Sequence, residues 1–255
     1  MYERNREAWP EHYLGAVSLT FDDGNHTQLE RAVPMMEERG FRGTFYLCPK
    51  GEDYARILRP WVEVAANGHE IGNHSISHIC SRNFSDDPNA KGLEGTTLEE
   101  LEADIVEAER RLQEVVPATH RSFAYPCYQT WVGEGEQRQS YVPIIARHFI
   151  AGRSVGEYAF FNSPINCDLA CLWCTPAEHM RSPEMNGLIE RALTMGQWCV
   201  FTFHHIGGAR LGTAEYEFEW LLDYLAQNRE RVWVAPVATV AEYLIEMRRE
   251  KGIRA

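Results

Sequence analysis

Two aspartates, Asp22 and Asp23, stand side by side in the stretch SLTFDDGNHT, after a hydrophobic run and before a glycine. Adjacent carboxylates repel each other. A partly buried pair therefore needs a shared proton or a positive partner. A metal ion is one such partner, and it would need further ligands. His74 and His78, in GNHSISH, lie four residues apart. One helical turn would bring both imidazoles to one side. Two neutral imidazoles and one carboxylate make a three-ligand set for zinc, with a position left open for water. The spacing alone is a weak signal, because ten histidines produce it often by chance. A further pair, His204 and His205, ends the hydrophobic run in FTFHHIG.

These residues need a frame. Around the first run, Ser18, Thr20 and Asp22 fall on one face of a strand, and Val17, Leu19, Phe21 and Asp23 on the other. The two carboxylates then leave the strand end in different directions and need not do the same job. Strand and helix signals alternate along the chain, which predicts parallel strands with crossover helices. Strands are expected over 16–21, 43–47, the start of HEIGNH, RSFAYP, QWCVFTFHH and RVWVAP. Helices are expected over 29–40, 55–68 with a break near Pro60, 97–116, 182–196, 216–230 and 237–250. Thr97 and Glu100 have capping-box spacing, and Leu98, Leu101, Ile105 and Leu112 form an apolar stripe behind them. The C-terminal strand ends form the active-site face of parallel α/β folds. The aspartate pair and His204 stand there. Two polar, glycine-containing stretches, 81–95 and 129–140, break the rhythm and read as surface loops or as rims of a substrate groove. There is no internal repeat and no linker.

Composition bounds the partners. The chain has 255 residues, 44% hydrophobic and 24% charged, with a formal net charge of −12. That acidity argues against nucleic acid or an anionic membrane as the main partner. No apolar run approaches the roughly 20 residues of a membrane span. The opening MYERNREAWPEHYLG lacks the apolar core of a signal peptide. Seven cysteines show no disulfide-scaffold spacing, so the expectation is a reduced, cytoplasmic protein. Cys167, Cys171 and Cys174 have the spacing that holds an iron–sulfur cluster in radical S-adenosylmethionine enzymes. They come late in the chain and no glycine-rich cofactor strand accompanies them, so free thiols are expected.

Taken together, TFDDG, GFRGTFYL, HEIGNHSISH, FAYP and VFTFHHIG resemble, in order, the motifs of the polysaccharide deacetylases, carbohydrate esterase family four. The resemblance runs from about Val17 to Glu242. It implies a deformed (β/α) barrel of about seven parallel strands, and one catalytic domain over 1–255. It also implies hydrolysis of an acetyl group from a carbohydrate, foremost the N-acetyl group of an amino sugar. O-acetyl ester hydrolysis, a non-sugar amide substrate and a silent carbohydrate-binding domain are the alternatives.

The resemblance gives the aspartates separate roles. Asp22 matches the general base. Asp23, with His74 and His78, matches the set that binds a divalent ion, zinc first and manganese, cobalt or nickel as alternatives. His204 matches the catalytic acid. Asp168 is the positional candidate for the carboxylate that orients it. The third motif departs from the family: Ala124 replaces an arginine that orients the base, and Tyr125, Pro126, Cys127 and Tyr128 follow. Arg121 is a candidate replacement for that charge. The Cys127 backbone N–H matches the oxyanion donor, so its side chain is expected to be replaceable. Tyr125, Pro126, Trp131 and Trp173 are candidate substrate contacts. The partner implied is an acetylated carbohydrate.

Overall fold

The structure is a computed structural model that describes residues 3–10, 12–155, 160–208 and 210–253. Its frame is one parallel sheet. The strands are β1 (Gly15–Asp22), β2 (Thr44–Leu47), β3 (Glu70–Asn73), β4 (Ser122–Ala124), β5 (Ala151–Arg153), β6 (Thr175–Pro176), β7 (Trp198–Phe203) and β8 (Val232–Val234). Seven follow the spatial order β5-β4-β3-β2-β1-β7-β6, and β8 pairs with the first residues of β1. The ends of the path approach each other through Leu172. Its N–H donates to Gly152 O, and its carbonyl accepts from the Ser154 N–H. The result is the deformed (β/α) barrel expected from the motifs.

Helices pack outside. They are α1 (Val33–Glu38), α2 (Tyr54–Leu58), α3 (Pro60–Ala66), α4 (Leu98–Val115), α5 (Val142–His148), α6 (Ser182–Met195), α7 (Glu215–Gln227) and α8 (Val237–Glu250). The capping box of α4 forms as predicted: Thr97 Oγ1 accepts from Glu100 N, and Glu100 Oε2 accepts from Thr97 N. Leu101, Ile105 and Leu112 are buried beneath it. Pro60 separates α2 from α3 because its ring cannot continue the preceding helical turn. Three elements were not legible in the sequence, α5, β5 and β6, and β5 turns out to matter most for the site.

The period-two reading of β1 holds. Val17, Leu19 and Phe21 enter the apolar layer under the helices. Phe21 stacks between Phe45 and Phe203, with ring centroids 4.8 and 5.3 Å away, and meets Phe218 edge-on at 5.8 Å. Burying each such ring stabilises the fold by about 1.5–3 kcal/mol. The alternate residues are polar and wholly paired. Ser18 Oγ donates to Ala235 O, and Thr20 Oγ1 donates to Phe201 O. Gly72 on β3 is a necessary gap, since a Cβ there would collide with the Tyr46 ring. No described helix is long and apolar enough to cross a membrane.

Candidate active site

The C-terminal ends of β1, β3, β5 and β7 meet around Asp22. Its side chain is buried, and Arg153 Nη2 donates to both of its oxygens, at 2.5 and 2.6 Å. Arg153 is itself fully buried at the end of β5. Its Nη1 donates to Thr202 Oγ1 at 2.8 Å, and its guanidinium lies over the Tyr46 ring. Burial alone would push the Asp22 carboxyl up. The Arg153 charge and then the nearby histidines outweigh it and hold the group below its ordinary value. Asp22 is therefore a buried, ionised carboxylate.

Asp23 leaves the strand with φ 72 and remains half-exposed. Left-handed backbone is tolerated best by Gly, then Asn and Asp. The next residue, Gly24, is also left-handed, and a Cβ on it would lie 2.5 Å from Leu47 Cδ2. This turn aims Asp23 Oδ1 at two imidazoles: His78 Nε2 is 3.5 Å away and His74 Nε2 is 3.8 Å away.

The histidine pair comes together differently from the expectation. Residues 74–78 are not helical. They form a loop in which Ser75 and His78 are left-handed. Side chains fix it: Asn73 Oδ1 accepts from Ser75 N, Ser75 Oγ from His78 N, and the Asp104 carboxylate from Ile76 N and Ser77 N. His74 Nδ1 lies 2.8 Å from Ala124 O and must donate to it. That leaves the Nε2 lone pair free and aimed at the aspartates. Burial, opposed by the Asp22 charge, lowers the His74 pKa to about 4, so the imidazole is neutral. A neutral imidazole with a fixed tautomer, a second imidazole and a carboxylate make a donor set that suits a divalent cation such as zinc. The three ligand atoms all lie within 4.8 Å of one another, so these residues fit the group.

His204 follows β7. Its Nε2 lies 3.9 Å from Asp22 Oδ2, and its Nδ1 lies 2.9 Å from Glu178 Oε1, as an ion pair rather than a well-directed hydrogen bond. Burial opposes its charge, but Glu178 and Asp22 prevail and raise its pKa above the ordinary value. The amides of Asn25 and Gln28 both donate to His204 O, and Gln28 also donates to Asp22 O, tying the two strand ends together.

Several expectations are corrected. Asp168 does not orient His204: it caps the short turn Leu169–Cys171, accepting from Ala170 N, and Glu178 takes the orienting place. Arg121 does not face the base. It donates to Glu109, Ile71 O and Val116 O on the far side of β3. The cation missing from the third motif comes instead from Arg153. The replacement of that arginine by Ala124 signalled that Asp22 needed a cation from elsewhere, but nothing local pointed to β5. No sequence signal marked Glu178. Tyr125 and Pro126 are buried, and the Tyr125 hydroxyl donates to Ala170 O, so neither is open to a substrate. Trp131 lies half-buried beneath Arg138, whose guanidinium is 3.6 Å from the ring centroid. Trp173 is exposed and meets Phe160 edge-on.

The cysteines also depart from expectation. Cys80 and Cys127 form a disulfide, so the premise of seven reduced thiols fails. Cys167, Cys171 and Cys174 are free. Among the described residues they do not gather into a metal-binding group.

The comparisons agree with this architecture. Residues 14–130 match the profile of the polysaccharide deacetylases, and this stretch carries the aspartates, both histidines and Cys127. That match takes in just under half of the chain, and it is to the same family that the motifs resemble. A Bacillus sp. gellan lyase is 24% identical over 147 residues, 57% of this chain and 5% of the lyase. The peptidoglycan-N-acetylglucosamine deacetylase of Bacillus cereus is 29% identical over 98 residues, 37% of this chain and 38% of that enzyme. The chain thus spans well under two thirds of the curated relatives it matches. A Mycobacterium smegmatis structure assigned to the polysaccharide deacetylases superimposes with a TM-score of 0.65 over 96% of this chain and 94% of that one. Its 16% identity makes that a likeness of fold.

Proposed function

We propose that the chain is a divalent-metal-dependent carbohydrate deacetylase, that its described elements act as one catalytic domain, and that its foremost substrate is an N-acetylated amino sugar. One observation carries this reading. Asp23, His74 and His78 converge beside an ionised Asp22, and His204 Nε2 approaches the same carboxylate at 3.9 Å. Asp23 Oδ1, His74 Nε2 and His78 Nε2 would hold the cation, zinc foremost. When bound, the ion supplies Lewis acidity toward the acetyl carbonyl and the attacking water. Asp22 accepts the proton of that water as it attacks. Arg153 keeps Asp22 ionised until then and fixes the direction of its lone pairs. The Cys127 N–H donates to the oxyanion that develops on the former carbonyl. Among the described residues no protein acceptor takes that N–H, which leaves it available. His204 then gives its proton to the leaving nitrogen, while Glu178 steadies the imidazolium. Acetate and the free amine depart.

Chelation followed by refilling tests the reading. Metal-free protein should lose turnover on acetylated chitooligosaccharides, and zinc should restore it; full turnover without metal would sink the mechanism. Acetylated xylan in the same assay reports O-deacetylation. Acetate released from xylan but not from chitooligosaccharides would assign the ester reaction instead.

A further inference from the structure

The Cys80–Cys127 disulfide joins the two loops on which the deacetylation reading depends. Cys80 lies two residues beyond His78, with its Sγ 3.8 Å from His78 Nδ1. Cys127 carries the N–H assigned to the oxyanion. The two Cα atoms are 5.8 Å apart across 47 residues of sequence. The bridge also ties the roots of both rim stretches. Loop 81–95 starts after Cys80, and stretch 129–140 starts just beyond Cys127. Beyond the bridge the stretches touch through Ser81 N and Gln129 Oε1, and through Gly133 N and Leu93 O.

The turn held by the bridge is conformationally demanding. Cys127 and Tyr128 are consecutive non-glycine residues with left-handed backbone, φ 51 and φ 60. Such residues persist only where the surroundings over-determine them. Besides the Ser81–Gln129 bond, its noncovalent ties are Tyr128 N to Tyr125 O, Gln129 N to Pro126 O, Ser154 Oγ to Tyr128 O, the Tyr141 hydroxyl to Gln129 O, and the Arg153 guanidinium over the Tyr128 ring. Among the described residues the Tyr128 hydroxyl is buried without a hydrogen-bond partner.

We propose that the Cys80–Cys127 disulfide is a positioning element of the reaction. It clamps the turn that presents the Cys127 N–H against the loop that carries His78. This rests on the deacetylase reading. It also gives the Cys127 side chain a role that a backbone donor alone would not need. Reduction by a dithiol adds two electrons and two protons to the bridge. Two thiols form, and the reagent leaves as its cyclic disulfide. Removing one oxyanion donor outright lowers kcat by about 10²–10³. Loosening the donor should lower it less, by about tenfold.

The experiment compares the oxidised protein, the protein after dithiothreitol, and Cys80→Ser, with Cys171→Ser as a thiol control. Alkylation and peptide mapping should find Cys80 linked to Cys127. Reduction should lower kcat about tenfold with KM and bound zinc nearly unchanged, and should speed amide exchange in 126–132 but not in β1. Cys80→Ser should match the reduced protein and ignore dithiothreitol, while Cys171→Ser should behave as the parent. Free thiols at 80 and 127 in the untreated protein, or exchange in 126–132 that does not rise on reduction, would overturn the clamp. Exchange that rises with kcat unchanged would overturn its positioning role. Exchange that rises in a protein without turnover in either redox state would keep the clamp and remove the deacetylase reading instead.

Discussion

The two corners of the site are built by opposite means. At one, Asp23 and His78 stand on loops with left-handed backbone, partly open to solvent and fixed by short-range hydrogen bonds. At the other, Asp22 and Arg153 stand on strand ends, buried and bonded to each other across 131 residues of sequence. Among the described residues no lysine or arginine pairs with Asp23, so the loop corner suits an ion that arrives from solution. The strand corner has its own cation and is electrostatically complete. One corner is organised to receive a charge, and the other to hold one ready.

The sharpest way to break this comparison is to damage each corner separately. Asp23→Ala should lose bound metal and activity together, because a three-ligand site has lost a ligand. Asp22→Asn should keep the metal, measured by elemental analysis, and lower kcat on the order of 10²–10⁴-fold. If Asp22→Asn also lost the metal, the corners would not be separate.

Arg153→Met tests the completeness of the strand corner. It leaves a buried carboxylate without its cation. Removing one partner of such a pair destabilises by about 3–5 kcal/mol, read as a lower denaturation midpoint. Asp22 would then favour its protonated form, so activity should fall even where the protein remains folded. A near-silent Arg153→Met would mean that the histidines suffice to hold Asp22 ionised.

The smallest expected effects separate two carboxylates near the acid. Glu178 helps to raise the His204 pKa. Its proton is present at low pH and lost as pH rises through that elevated value, so kcat should have a basic limb there. Glu178→Gln should move that limb to lower pH and reduce kcat about tenfold, less than the 10²–10⁴ of losing an acid altogether. Asp168→Ala, outside the acid's surroundings, should leave the pH profile in place and cost about 0.5–2 kcal/mol of stability for the lost cap. The reverse pattern would restore Asp168 as the orienting group.

These corners also differ in how far the sequence revealed them. Asp22, Asp23, His74, His78 and His204 lie within short motifs at the ends of strands long or apolar enough to recognise, and all five converge. The helical turn expected for the histidines was not needed, because Asn73, Ser75 and Asp104 build a loop that does the same work. Arg153 and Glu178 were out of reach. Arg153 ends a three-residue strand with Gly152 at its centre, too short to show alternation, and Glu178 follows a strand of two residues. Their roles come from closing the sheet, which brings distant segments to one end. Position alone put Asp168 forward, and position says nothing about which loop turns inward. The disulfide escaped notice for a related reason: only the pairing of distant loops makes two of seven cysteines neighbours.

Closing the sheet through Leu172 has a consequence for how copies of this chain meet. The outer strands β5 and β6 have only three and two residues. Leu172 already occupies backbone groups on both sides of Arg153. A long unpaired edge is a template on which another chain can add a strand and begin to aggregate. Here the eight-residue β1 lies innermost, flanked by β2, β8 and β7. The segment with the greatest capacity for intermolecular pairing is thus exposed only while the chain is unfolded, and aggregation should track the unfolded population rather than the concentration of folded protein.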